Sequence, residues 1–252
     1  MESHFNLEID GARATITLDN PPVKNRLLAS DLPGLNDILG RIEADPAIRV
    51  AVLRATGETA FCSGYAVGDI GATDWESNPL EEVCDRLEAL PMPTICALNG
   101  HCYGGAVDLT LACDFRIGVP GMNLAIPAVR LGVHYWPNGL SRHVERLGLG
   151  LAKRLFLAHE TFTGDQLHAL GYLDYLAPLA ELRERTDALA AKLAGHAPLP
   201  MRGMKRALNQ IARGTLDVAA TQAAIQECMS SEDAKEGPRA FAEKRAPDFQ
   251  GR

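Results

Sequence analysis

The sequence predicts an α/β fold with a helical C-terminal region. Three observations predict it. Apolar runs of strand length alternate with amphipathic helical stretches through the first half of the chain. Those runs are near-continuously apolar, the pattern of strands whose sheet is covered on both faces. From about residue 145 onward helical patterning takes over almost entirely.

Each element has its own reason. Residues 5–9 and 13–18 alternate as strands around the turn at Asp10-Gly11. NPPVKN (20–25) is a loop, because proline cannot serve a central strand. Residues 31–44 place Leu32, Leu35, Ile38, Leu39 and Ile42 on one helical face. RVAVLRATG (49–57) is a buried strand running into a glycine loop, and 79–90 is a helix. PTICALNG (93–100) is a second apolar strand ending in glycine; 105–113 begins a helix and DFRIGV (114–119) is again a strand. Helices are expected at 149–158, 164–170, 179–195, 201–213, 215–230 and 234–244, interrupted by a short strand in YLDYL (172–176). The shift divides the chain into a core, 1–195, and a helical region, 196–252, of the kind that packs against a neighbouring subunit.

Composition narrows the function classes. The 252 residues are 46% hydrophobic, enough to bury one core. Net charge is −7 and no Lys/Arg-rich block occurs, which argues against nucleic acid and anionic membrane surfaces as partners. No window approaches the ~18 apolar residues of a membrane span. MESHFNLEIDG lacks a basic segment followed by an apolar one, so no signal peptide is expected, and the expected location is cytoplasmic. The six cysteines are scattered without a CxxC pair and are expected as reduced, buried thiols. The seven histidines show no HExxH spacing, so no metal is expected.

The chemistry concentrates in GETAFCSGYAVGDI (57–70) and NGHCYGGAVDL (99–109). Each places glycine and small residues after a buried strand, where α/β sheets bind ligands. Backbone N–H groups there can point into a cavity, and two that converge form an oxyanion hole suited to a thioester carbonyl becoming an enolate. Asp108 either moves a proton beside that hole or is an acid in the first turn of a helix, satisfying its N–H groups. His101 and Cys102 read as structural residues at a strand end, and Arg130 as a surface ion pair or a holder of a substrate carboxylate.

Four motifs in this order resemble the enoyl-CoA hydratase/isomerase, or crotonase, family: ATITLDNPP near the start, AFCSG at 60–64, ALNGxxxGGAxDLxLACD at 97–114 and DAKEGPRAFAEKRAPDFQGR at 233–252. The resemblance covers nearly the whole chain. It implies a crotonase-type ββα spiral and a trimer or dimer of trimers built through residues 196–252. It implies an acyl-CoA substrate, coenzyme A being part of that substrate, with no permanently bound cofactor. The oxyanion N–H groups would be those of Tyr65 and Gly105. Tyr65, Ala66, Val67 and Gly68 would line the acyl-CoA channel, Lys24 would meet CoA phosphates, and Lys244 or Arg245 would reach a neighbouring subunit's CoA. The acid/base carboxylate falls on Asp108, where many family hydratases carry glutamate.

The chain departs from the family at one position. Family hydratases carry a second glutamate after a proline, and LAIPAVRLG (124–132) has Ala128 there. Two carboxylates orient and split a water; one proton carrier suffices for moving a double bond or protonating an enolate. LGVHYWP (131–137) offers replacements in His134 and Tyr135. Together with the GGA at 104–106 it resembles, in part, the methylmalonyl-CoA decarboxylase branch. The alternatives to a hydratase/isomerase are therefore a decarboxylase assisted by Tyr135 and a non-catalytic acyl-CoA-binding member.

Overall fold

A computed structural model describes residues 4–66, 68 and 78–252. Strands β1 (Phe5–Asp10) and β2 (Arg13–Leu18) form the expected hairpin, with Phe5 opposite Leu18. Helix α1 (Leu32–Ala44) buries the same five residues its periodicity selects: Leu32, Leu35, Ile38, Leu39 and Ile42. Each such side chain contributes about 1.5–3 kcal/mol by leaving water.

Three ββα turns follow. Strand β3 (Val50–Ala55) leads to β4 (Ala60–Cys62) and helix α2 (Pro79–Ala89). Strand β5 (Thr94–Leu98) leads to β6 (His101–Tyr103) and helix α3 (Gly105–Leu111). Strand β7 (Phe115–Gly118) leads to β8 (Asn123–Ala125) and helix α4 (Pro137–Phe156). The first strand of each turn joins a six-stranded sheet, β1-β2-β3-β5-β7 with the two-residue β10 (Tyr175–Leu176) at its edge. The second joins a smaller sheet, β4-β6-β8, completed by β9 (Phe162–Thr163). Apart from the β1–β2 and β8–β9 pairs, every pairing is parallel. The expected spiral is therefore present, and its small sheet aims the carboxyl ends of β4, β6 and β8 at one place.

Helix α5 (Gly164–Ala169) follows β9, and α6 (Leu179–Ala194) buries Leu182, Thr186, Ala190 and Leu193. Beyond it, α7 (Pro198–Ala212) and α8 (Val218–Ser230) bury no residue, and α9 (Glu232–Glu243) buries Asp233, Glu236 and Ala240. Met204, Leu208, Ile211, Ile225, Met229 and Phe241 stand exposed on these helices. Lys205 ties α7 to the core through Asp114 (2.7 Å) and the Met92 carbonyl (2.9 Å).

The differences from expectation have simple causes. The strands at 60–62, 123–125 and 162–163 are too short for alternation to register. YLDYL keeps only two strand residues. Helix α4 begins at Pro137, well before the expected 149, because Gly148 (φ 74°, ψ 158°) breaks the periodic pattern. Five of the six free cysteines are buried and Cys228 is partly so. Among the described residues, no helix is long and apolar enough to cross a membrane.

Candidate active site

Two glycines bring the ends of β4 and β6 together. Gly64 has φ +97°, and a Cβ there would lie 2.7 Å from the Tyr103 carbonyl oxygen. Gly104 has φ +58° and donates its N–H to the Ala125 carbonyl at the end of β8 (3.0 Å). Both positions require the left-handed region that glycine enters without strain. Gly105 is the first residue of α3, so its N–H lies ahead of the helical ladder. A Cβ on Gly105 would sit 3.6 Å from the Tyr65 Cβ and 4.0 Å from the Tyr65 nitrogen. The Tyr65 and Gly105 backbones therefore adjoin, as an oxyanion hole needs.

They border a cavity of about 150 Å³. Leu80, Ile126, Ala128, Val133 and Trp136 give it apolar walls, and Asp108 and Glu81 bring two carboxyl groups to it. Ala128 sits in a 3₁₀ turn, Ala128–Leu131, and is 9% exposed.

Asp108 lies one turn into α3 and is buried. It does not cap the helix: its Oδ1 accepts from Arg142 Nη1 at 2.6 Å. The Arg142 side chain is entirely buried. Its Nη2 donates to Asp85 Oδ1 at 2.5 Å, and its Nε lies 3.4 Å from Glu88 Oε2. Glu88 is also held by Arg146 (3.2 Å) and Arg213. Burial pulls the Arg142 guanidinium down, but the carboxylates of Asp108 and Glu88, with Cys84, outweigh it and hold Arg142 above its ordinary value.

The second atom, Asp108 Oδ2, faces Gly139 of α4, where a Cβ would come within 3.1 Å of it. That Cβ would also lie 3.1 Å from the Tyr135 ring. Tyr135 donates its hydroxyl to the Gly104 carbonyl at 3.1 Å. Burial, then the Asp108 charge, pushes that hydroxyl well above the usual tyrosine value. Buried His143 donates Nδ1–H to the Gly139 carbonyl (2.7 Å), and its Nε2 has no hydrogen-bond partner among the described residues. Burial pulls His143 below its usual value, so the ring is neutral.

Of the other expected site residues among those described, His134 lines the same cavity and the rest do not. Lys24 is exposed with φ 55°, and its carbonyl accepts from Ser63 N at 2.9 Å. Ala66 is buried and bonded to the Leu27 carbonyl (2.9 Å), off the cavity wall; Gly68 is exposed, and Val67 lies outside the described residues. Arg130 is exposed, off the cavity, and makes no ion pair among the described residues. His134 lines the mouth and bonds the Tyr135 carbonyl (2.6 Å). His101 accepts from Asn123 N (2.9 Å) and Cys102 is fully buried, both packing roles. Arg245 is taken up by Glu236 and Glu243. Sequence reasoning passed over Arg142, Gly139 and Glu81. Glu81 carries one signal: it recurs with Asp85 and Glu88 at helical period, on a strip beside Leu80, Val83 and Leu87.

The family model for enoyl-CoA hydratase/isomerase matches residues 8–252. The chain belongs to that family. Among its relatives, a short-chain-enoyl-CoA hydratase of Clostridium acetobutylicum is 29% identical over 250 residues, covering 95% of this chain and 94% of that protein. A 2,3-dehydroadipyl-CoA hydratase of Escherichia coli is 30% identical over 249 residues, covering 94% of each. The crystal structure of an enoyl-CoA hydratase from Bacillus anthracis superposes with a TM-score of 0.91 at 26% identity, over 99% of this chain and all of that one. Within this enoyl-CoA hydratase/isomerase scaffold Asp108 pairs with Arg142, and position 128 is an alanine.

Proposed function

We propose that this member of the enoyl-CoA hydratase/isomerase family binds an acyl-CoA thioester with its carbonyl between the N–H groups of Tyr65 and Gly105. The enolate that forms there is stabilised by those two donors and by the start of α3. Asp108 carries the proton. Its Oδ1 is anchored on Arg142, which leaves Oδ2 to take a proton from the substrate or a water and return it. The observation that supports this best is one cavity shared by Tyr65, Gly105 and Asp108.

The runner-up is decarboxylation of a malonyl-type thioester with Tyr135 as proton source. The Tyr135 hydroxyl already donates to the Gly104 carbonyl, which favours Asp108 as the carrier. Lys24 remains the proposed contact for CoA phosphates. Residues 196–252 are proposed as the trimer-forming region, supported by the exposed apolar side chains of α7 and α8.

The test is Asp108→Asn, assayed with crotonyl-CoA, a 3-enoyl-CoA and methylmalonyl-CoA by mass spectrometry. Loss of about 10²-fold or more in turnover is expected, the range of a positioned acid/base group. Full turnover by the variant excludes Asp108 as the proton carrier. Release of CO₂ from methylmalonyl-CoA, undiminished in Asp108→Asn, selects the decarboxylase. Tight CoA binding without turnover of any thioester selects the non-catalytic reading.

A further inference from the structure

Ala128 leaves this site without the second glutamate that water addition uses elsewhere in the family. A second carboxylate nevertheless lines the cavity. Glu81, in the first turn of α2, reaches across to the start of α4. Its Oε1 accepts from the backbone N–H groups of Asn138 (2.7 Å) and Gly139 (3.3 Å). Its Oε2 makes no hydrogen bond among the described residues. Gly139 is also where Asp108 Oδ2 lies, 3.1 Å from the place a Cβ would occupy. The two carboxylates thus flank one residue that has no side chain to separate them. Two N–H bonds from a helix start fix the orientation of the Glu81 carboxylate.

We propose that Glu81 is the second carboxylate of this site and positions the water that adds to an enoyl-CoA. The inference rests on the reading of Asp108 as proton carrier. The step balances as follows. The water oxygen bonds to C3 as one O–H bond breaks; that proton passes to Asp108 Oδ2, and the π electrons move onto the thioester as the enolate. Asp108 then returns the proton to Cα, restoring its carboxylate and giving the 3-hydroxyacyl thioester. Glu81 Oε2 accepts the water's other hydrogen throughout and ends unchanged. Both new bonds form on the face where the two carboxylates stand.

Glu81→Gln separates this role from the cap, because the amide oxygen can still accept from Asn138 and Gly139. Two rates are read: hydration of crotonyl-CoA, and deuterium uptake at Cα of butyryl-CoA in D₂O, which needs the oxyanion hole and Asp108 but no added water. The expected result is a fall of about 10²-fold in hydration, within the span of a single positioned group, with exchange changed by less than about threefold. Hydration at the wild-type rate in Glu81→Gln makes Glu81 a helix cap only and overturns the proposal. So does an equal loss of both rates, which marks a general structural effect, and so does a wild-type enzyme that exchanges but does not hydrate. Asp108→Asn run beside it distinguishes the parent reading: exchange that survives in that variant refutes Asp108 as carrier, whatever Glu81 does.

Discussion

Replacing Arg142 with methionine removes the cation that pairs with Asp108. The magnitude follows from who else neutralises each partner. Glu88 keeps Arg146 and Arg213. The Asp85 side chain is 32% exposed and is solvated when Arg142 is gone. Asp108, its side chain 5% exposed, has no other arginine or lysine partner among the described residues. The loss is therefore mainly one buried carboxylate left without its counter-charge, which costs about 3–5 kcal/mol. For a domain of this size each kcal/mol moves Tm by about 2–4 °C, so a fall of about 6–20 °C is expected. Differential scanning calorimetry of Arg142→Met, Asp108→Asn and the double variant measures it. If the cost lies in stranding Asp108, the double variant regains about half or more of the loss, because contacting residues couple by roughly 0.5–3 kcal/mol. A double variant no more stable than Arg142→Met alone refutes the reasoning, as does an Arg142→Met Tm within about 2 °C of wild type.

Two further outcomes are expected. Burial lowers the folded-state value of His143, so the unfolded chain binds more protons there; its contribution is present above the unfolded value of about 6.5 and is lost as pH falls below it. Urea denaturation of His143→Gln between pH 7 and pH 5 should accordingly show a shallower loss of stability than wild type; an equal or steeper loss contradicts a neutral buried ring. At Gly64, alanine meets both a φ of +97° and the Tyr103 carbonyl 2.7 Å from its Cβ. Gly64→Ala should lose about 1–3 kcal/mol in denaturant unfolding and weaken deuterium exchange on butyryl-CoA, since the loop carrying Tyr65 must move; a stable, fully active variant rules out that close approach.

Much of the framework was legible because its elements are long and periodic. The α1 face, the β1–β2 hairpin and the apolar strands β3, β5 and β7 each carry a pattern that local sequence expresses. The glycine pair at 104–105 and the acid at 108 were legible as site candidates through the family motif that contains them, because a plain turn and a first-turn acid use the same residues. The short strands of the small sheet were not legible, since two or three residues hold no period.

What the sequence determined by itself was therefore the alternating strand–helix order of the core, the family motifs, the missing glutamate at 128 and the acid at 108. Only the tertiary structure decided what surrounds that acid. Arg142 lies 34 residues beyond Asp108 and Asp85 lies 57 residues before Arg142, so no local window contains the pair or its partner. Glu81 meets Gly139 across 58 residues. A buried charge is tolerated only where its counter-charge arrives in space. That arrival is set by how α2, α3 and α4 pack around one another.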